Sequence, residues 1–193
     1  MLTASRMIAN NNIRAKRRGF TLVELLLVVG ILGVIAVAFV AGNSSSQSAK
    51  LDYASRELTD MFQLARSEAL RTGVPHGVSV STSTHRAQVY RIVPGSNPTN
   101  RVYDIRHPQS KQLLDITLGA SAGTEGTRVQ SRDFVYQGVP PKSDLDFNAK
   151  GEPYFQQGTA SYRALDAEVI VAAGNDIRTI TVDPVTGRIS VTP

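Results

Sequence analysis

The chain has 193 residues, of which 41% are hydrophobic and 19% are charged, and it contains no cysteine. This length accommodates one ordinary domain with an appendage and excludes a large multidomain enzyme, while the lack of cysteine excludes disulfides, thiol catalysis, iron–sulfur clusters and cysteine-containing zinc sites. The formal net charge of +5 comes entirely from the first nineteen residues, which hold five basic residues and no acidic one, so bulk charge indicates no particular partner.

A long apolar segment follows this basic leader. Residues 20–42 read FTLVELLLVVGILGVIAVAFVAG and contain one ionisable side chain, Glu24. As a helix the segment spans about 34 Å, which is enough to cross a hydrocarbon core of roughly 30 Å. We therefore predict a transmembrane helix. Because the basic residues precede it, the positive-inside rule places the N-terminus in the cytoplasm and the rest of the chain outside.

The junction between leader and apolar segment resembles the signature of type IV prepilins. Residues 19–24 read GFTLVE, matching the family pattern of Gly, Phe, Thr, Leu, a hydrophobic residue and Glu at every position. The resemblance implies that a prepilin peptidase removes residues 1–19 by cutting between Gly19 and Phe20, and that the new amine of Phe20 is methylated. It also implies that Glu24 pairs with this amine on a neighbouring subunit. The alternative is that Glu24 only reaches the lipid headgroups.

The helix is predicted to continue beyond the membrane. Residues 43–48 read NSSSQS, which favours a bend or a loosened turn. Apolar side chains then recur every three or four residues, as in an amphipathic helix. These positions are Leu51, Ala54, Leu58, Met61, Ala65 and Ala69, with Leu64 and Leu70 widening the stripe. Gly73 and Pro75 end the helix, so residues 43–72 form an amphipathic continuation that needs a surface to pack on.

Residues 73–193 are predicted to form a β-rich periplasmic domain. Short β-prone segments alternate there with clusters of Pro, Gly, Asn and Ser. The candidate strands are 77–81, 87–93, 101–106, 113–118, 127–137, 145–147, 167–173, 177–182 and 188–192. Turn sequences at 174–176 and 183–187 favour a C-terminal meander of three strands. We predict an α+β fold, a pilin-like lollipop in which the long N-terminal helix packs on an antiparallel β-sheet.

Three further segments resemble the H-type pseudopilins of type II secretion and the FimT/FimU-type minor pilins. They are LARSEALRTG at 64–73, a Phe-x-x-x-Gly pattern at 147–151, and a closing turn and strand at 180–191. The resemblance implies a minor subunit of a type II secretion pseudopilus or a type IV pilus, with a priming or tip role. It implies four kinds of partner: a prepilin peptidase and methyltransferase, other pilins or pseudopilins, an assembly platform in the bacterial inner membrane, and membrane lipid.

A DNA-binding minor pilin is the alternative function. Seven basic residues and three acidic ones lie between residues 86 and 132, which could form an electropositive patch. Some FimT-type pilins capture DNA through a C-terminal Gly-Arg-x-Arg motif, and here residues 187–190 read GRIS, without the second arginine. The candidate DNA contacts are Arg86, Arg91, Arg101, Arg106 and Arg188. The competing interpretation is a solvated strand surface with alternating arginines.

No catalytic, metal or cofactor site is predicted. None of the three histidines has metal-ligand spacing or a neighbouring acid that suggests a triad. Asp144, Asp146 and Asn148 imitate the opening of a calcium loop, but Ala149 stands where the loop needs Gly and Phe155 where it needs a bidentate Glu. We therefore expect no cofactor and no enzymatic activity.

Overall fold

The computed structural model describes residues 21–96 and 99–193, except for the side chains of residues 35–45. The predicted cleavage site between Gly19 and Phe20 lies outside the described residues. Helix α1 spans Leu22–Thr72. Residues 43–48, for which the sequence predicts a bend or a loosened turn, belong to this helix. The chain divides into two compact units, Met1–Ala41 and Gly42–Pro193.

The apolar part of α1 is exposed along its described length. Every side chain from residue 21 to residue 34 is exposed, whichever way it points. Among the described residues, no helix meets both the length and the hydropathy needed to cross a membrane. The described side chains cover only part of the predicted transmembrane segment 20–42, which stays a prediction.

Eleven antiparallel strands follow α1 in the described part of the chain. They are β1 (His76–Val80), β2 (Arg86–Ile92), β3 (Arg101–Val102), β4 (Asp115–Thr117), β5 (Thr127–Tyr136), β6 (Val139–Lys142), β7 (Asp144–Phe147), β8 (Pro153–Gln157), β9 (Ala160–Ala173), β10 (Asp176–Val182) and β11 (Ile189–Thr192). Each of the nine predicted segments overlaps a strand, whereas β6 and β8 are additions. The fold is therefore α+β with an antiparallel sheet, as predicted.

The longest strand, β9, belongs to two sheets. The hydrogen-bonded order is β11-β10-β9-β8-β7-β1-β2-β3, with β4 on β2, β5 on β9 and β6 on β5. Residues 160–163 of β9 pair with β8, its remainder pairs with β5, and residues 168–173 also pair with β10. We call β1–β4, β7 and β8 the first sheet, and β5, β6, β10 and β11 the second sheet. The predicted C-terminal meander is β9-β10-β11.

The second half of α1 packs on both sheets through its apolar face. The six predicted core positions from Leu51 to Ala69 are buried. Phe62, which the predicted stripe omits, is also fully buried and meets the ring of Phe134 edge-on at 6.2 Å. Leu70 is 48% exposed and does not widen the core. Gly73 ends α1 with a positive φ of 69°, as in a helix C-cap, and its N–H donates to the carbonyl of Ala69.

Candidate functional site

Glu24 stands in the first turn of α1, and Thr21 caps that turn. The backbone N–H of Glu24 donates to Thr21 Oγ1 at 3.3 Å, and the N–H of Leu25 donates to the Thr21 carbonyl at 3.1 Å. A threonine at this position satisfies one of the free N–H groups of a helix start. The exposed carboxylate also lies at the positive end of the helix dipole. The cap therefore holds Glu24 at a defined place in a surrounding of exposed apolar side chains.

Arg66 connects the three segments that resemble the H-type pseudopilins. It lies in the first segment, on α1. Its Nε donates to the carbonyl of Gly151 at 3.2 Å, and its Nη2 donates to the carbonyl of Thr186 at 2.9 Å. Gly151 ends the second segment, and Thr186 lies in the turn of the third. We call this arrangement the Arg66 clamp. It fixes the β7–β8 loop and the β10–β11 turn on α1.

Two glycines make the close approach at the clamp possible. Gly151 and Gly187 have φ values of 74° and 66°, a left-handed conformation that other residues adopt at a cost. A Cβ on Gly187 would also overlap the Gly151 carbonyl oxygen and come within 3.0 Å of Arg66 Nε. Asp183 shapes the turn, since its Oδ1 accepts N–H bonds from residues 185 and 186. The Phe-x-x-x-Gly pattern at 147–151 and the turn sequence at 183–187 are therefore both required by the Arg66 clamp.

A buried charge cluster, which sequence reasoning missed, lies in the first sheet around Asp146. Its side chain is fully buried on β7. Tyr90 on β2 donates its hydroxyl to Asp146 Oδ1, the N–H of Gln156 donates to Oδ2 at 2.7 Å, and Arg101 Nη2 lies 3.5 Å from Oδ2. Burial raises the pKa of Asp146 to about 6, although Arg101 and the two hydrogen bonds act in the opposite direction.

The guanidinium of Arg101 is enclosed by aromatic rings and carboxylates. Its Cζ lies 5.3 Å from the centroids of both Tyr90 and Phe155, and Asp144 is a second acidic neighbour at 3.9 Å. Cation–π and ionic contacts therefore hold the two-residue strand β3 against β2. The Asp146 carboxylate is part of this cluster. Asn148 Oδ1 instead accepts N–H bonds within the β7–β8 loop.

The candidate DNA-binding arginines do not form an open basic patch. Arg86 binds Asp115, with Nε to Oδ1 at 2.7 Å, and Arg91 binds Asp104 at 2.9 Å. These hydrogen bonds lower the pKa of both aspartates. Arg101 belongs to the buried cluster, and Arg106 donates to the carbonyl of Lys111. Both acidic partners belong to the segment 86–132, and a count of charges does not show that each one pairs with a particular arginine.

Arg86, Arg106 and Arg188 are the exposed candidate arginines. Of these three, only Arg86 has an ion pair among the described residues. Two arginines without an acidic partner are too small an electrostatic footprint for a nucleic-acid surface. DNA binding is therefore not supported.

An apolar helix start with one carboxylate, followed by an antiparallel β-domain clamped to the helix, is the architecture of a pilin-like protein. The comparisons with known proteins make this more specific. Residues 14–40 match the prokaryotic N-terminal methylation motif, and residues 54–187 match the family described as Type II transport protein GspH. The chain belongs to this GspH family of structural pilin and pseudopilin proteins. The matched range includes Arg66, Gly151 and Gly187.

Individual relatives are similar over part of their length. The chain is 42% identical over 88 residues to the pilin-like protein PilA1 of Thermus thermophilus, which is 46% of this chain and 54% of the relative. It is 31% identical over 86 residues to type II secretion system protein H of Escherichia coli, which is 44% of this chain and 48% of the relative. The chain thus spans about half the length of these curated relatives.

A solved structure is also similar. The minor pseudopilin EpsH of the type 2 secretion system of Vibrio cholerae has a TM-score of 0.48 and 14% sequence identity to this chain. The match covers 74% of this chain and 96% of that one.

Proposed function

We propose that the chain is a minor pilin or pseudopilin subunit that a prepilin peptidase processes and that then enters a periplasmic filament. The observation that carries the proposal is the start of α1. All described side chains from 21 to 34 are exposed and all but Glu24 are uncharged. A helix that is apolar on every face needs lipid or other apolar helices around it. Lipid of the inner membrane would surround the helix before assembly. The helices of other subunits would surround it after assembly.

Glu24 gives this apolar helix a specific contact with the next subunit. An ionised carboxylate in a lipid or helix-bundle interior is costly unless it has a partner. Cleavage after Gly19 would create an ammonium on Phe20, and methylation leaves that amine able to carry a proton. We infer that Glu24 of one subunit binds the Phe20 amine of the next and so sets the stagger between subunits.

Three kinds of partner follow from this mechanism. The peptidase and methyltransferase act on the Gly19–Phe20 junction, the inner-membrane platform takes up the mature subunit, and other pilins or pseudopilins surround its helix. The same steps serve a type II secretion pseudopilus and a type IV pilus. The GspH family match and the similarity to type II secretion system protein H support the secretion role, and the similarity to PilA1 supports the pilus role.

Mass spectrometry of the mature protein tests the processing step. We expect its first residue to be Phe20 carrying an N-methyl group. A mature, working protein that retains Met1 would contradict the proposal.

A substitution of the carboxylate tests the assembly step. We expect Glu24→Val to leave cleavage intact and to reduce the amount of the protein in sheared filaments by about tenfold or more, because the Phe20 amine loses its partner. Leu25→Val is the matched control, since it places the same side chain at the neighbouring exposed position. Normal filament entry of the Glu24 variant would remove the assigned role of this residue.

A further inference from the structure

The second half of α1 leaves one face uncovered. Exposed side chains recur there every three or four residues, on the side opposite the buried core. They are Tyr53, Arg56, Asp60, Gln63, Ser67 and Leu70. We call this row the exposed stripe. At its two ends Tyr53 is 52% exposed and Leu70 is 48% exposed, so the stripe presents apolar surface as well as polar groups.

Two carboxylates lie in a groove along the first end of the stripe. The groove has a volume of about 760 Å³, and residues of the β3–β4 connection form its far wall. Asp60 is exposed in it, and Glu57 is half-buried beside it. Oε2 of Glu57 is buried and has no hydrogen-bond partner. Burial, together with the neighbouring charge of Asp60, raises the pKa of Glu57. No positive charge among the described residues opposes this shift.

Arg56 does not supply such a charge. It lines the same groove and stands four residues before Asp60, but it forms no ion pair with either carboxylate among the described residues. No ion pair within the described ranges involves Glu57 or Asp60. A cation from another molecule would pair with these two carboxylates.

Two arginines lie at the other end of the same stripe. A second groove, of about 300 Å³, is lined there by Arg66, Leu70, Arg188 and their neighbours. Arg66 donates only to neutral carbonyl oxygens, so its positive charge is not compensated by an acid in the described part of the chain. Arg188 is exposed beside it. The two grooves share Gln63 and Ser67, so they are the two ends of one continuous surface.

We propose that the exposed stripe binds a second copy of this chain, with Glu57 and Asp60 of one copy facing Arg188 of the other. Asp60 and Leu70 are ten residues apart, or about 15 Å along the helix. Two parallel copies that are displaced along the helix by this distance bring the acidic end of one stripe to the basic end of the other. Tyr53 and Leu70 are then removed from water as well. The inference rests on the proposed function, because it supplies a contact for an assembling subunit.

The experiment compares two full-length copies with different affinity tags, coexpressed and purified through one tag in a mild detergent. We expect wild-type copies to copurify. The double variant Glu57→Lys, Asp60→Lys and the single variant Arg188→Glu should each reduce copurification by about tenfold or more when present in both copies, because like charges then meet. A mixture of one copy with reversed acids and one with reversed Arg188 should restore copurification. Arg66 is left unchanged because it holds the fold together.

Two controls make the result specific. Asp133→Lys reverses an exposed carboxylate on β5, away from the stripe, and should leave copurification unchanged. Circular dichroism melting of each variant shows that the fold is retained, and Glu57→Gln with Asp60→Asn serves as a milder pair if the lysine variant is unstable. Copurification that survives charge reversal, or that the mixture does not restore, overturns the proposal. So does a wild type that does not copurify. The wild type's own presence in sheared filaments tests the proposed function separately.

Discussion

At the scale of single residues, Asp146 is the most unusual group in the described chain. Its carboxylate is fully buried, and Tyr90, Arg101 and the backbone of Gln156 all reach it. The other charged or titratable groups around it are Asp144, Tyr136 and Tyr154. Because burial raises its pKa from an ordinary 3.8 to about 6, the folded protein binds a proton at Asp146 where the unfolded chain does not.

This difference predicts a pH dependence of stability. Between about pH 4 and pH 6 the native state holds more protons at Asp146 than the unfolded state, so its contribution to the free energy of unfolding increases as the pH falls. Asp146→Asn removes the titration. We expect the stability difference, wild type minus variant, to grow by about 2 kcal/mol from pH 7 to pH 4. Urea denaturation at several pH values measures it, and a difference that does not vary with pH would contradict the raised pKa.

The sequence did not predict this cluster, and the reason is physical. The calcium-like spacing of Asp144, Asp146 and Asn148 is a local pattern. The partners of Asp146 come from β2, β3 and β8, and only strand pairing brings these together. By contrast, the role of Glu24 could be proposed from a local motif, because its neighbours Gly19 and Phe20 are close in sequence. The exposed position of Glu24 agrees with that proposal but does not test it.

At the scale of secondary-structure elements, the Arg66 clamp determines how two connections lie on α1. Both of its acceptors are backbone carbonyls, so the identity of the side chains at 151 and 186 matters less than the path of the backbone. Glycine at position 187 is required for that path, since a Cβ there would overlap the Gly151 carbonyl.

Two glycine variants separate this contact from backbone strain alone. Gly187→Ala and Gly138→Ala both place alanine at a positive φ, 66° and 79°, which costs about 1–2 kcal/mol. Nothing lies within 4 Å of a Cβ at Gly138, so we expect no further loss there. Gly187→Ala must also displace the Gly151 carbonyl and should destabilise the protein by about 1–3 kcal/mol more. Equal losses in thermal denaturation would argue against the close contact.

The elements themselves were largely predictable because most follow periodicity and turn chemistry. The two missed strands have specific causes. β6 contains Pro140 and Pro141, which a sequence interpretation assigns to a loop, and the prolines are tolerated because β6 pairs only with β5. β8 begins at Pro153, another position where a strand accepts proline. Phe62 was missed because it lies at the edge of the apolar stripe, where Phe134 extends the core.

At the scale of the whole molecule, one core joins α1 to both sheets in the unit Gly42–Pro193. Buried side chains from the helix and from strands of each sheet form one cluster. The first sheet contributes Val78 and Phe147, for example, and the second contributes Phe134 and Ile180. The helix and the two sheets should therefore unfold together.

A pair of neighbouring substitutions tests this cooperativity. Phe62→Ala removes a fully buried ring and should cost about 3–5 kcal/mol, while Gln63→Ala changes the adjacent exposed residue and should cost less than about 0.5 kcal/mol. Hydrogen exchange should show that Phe62→Ala lowers protection equally in the first and second sheets. Loss of protection confined to one sheet would show that the two sheets open independently.

The double membership of β9 has a mechanical consequence. Over residues 164–173 this strand is hydrogen-bonded along one or both edges, to β5 and to β10, and its first residues continue into the other sheet. A pulling force on either end of β9 would load many of these bonds at once instead of one after another. We expect a domain built this way to resist unfolding under tension better than one in which each sheet has strands of its own.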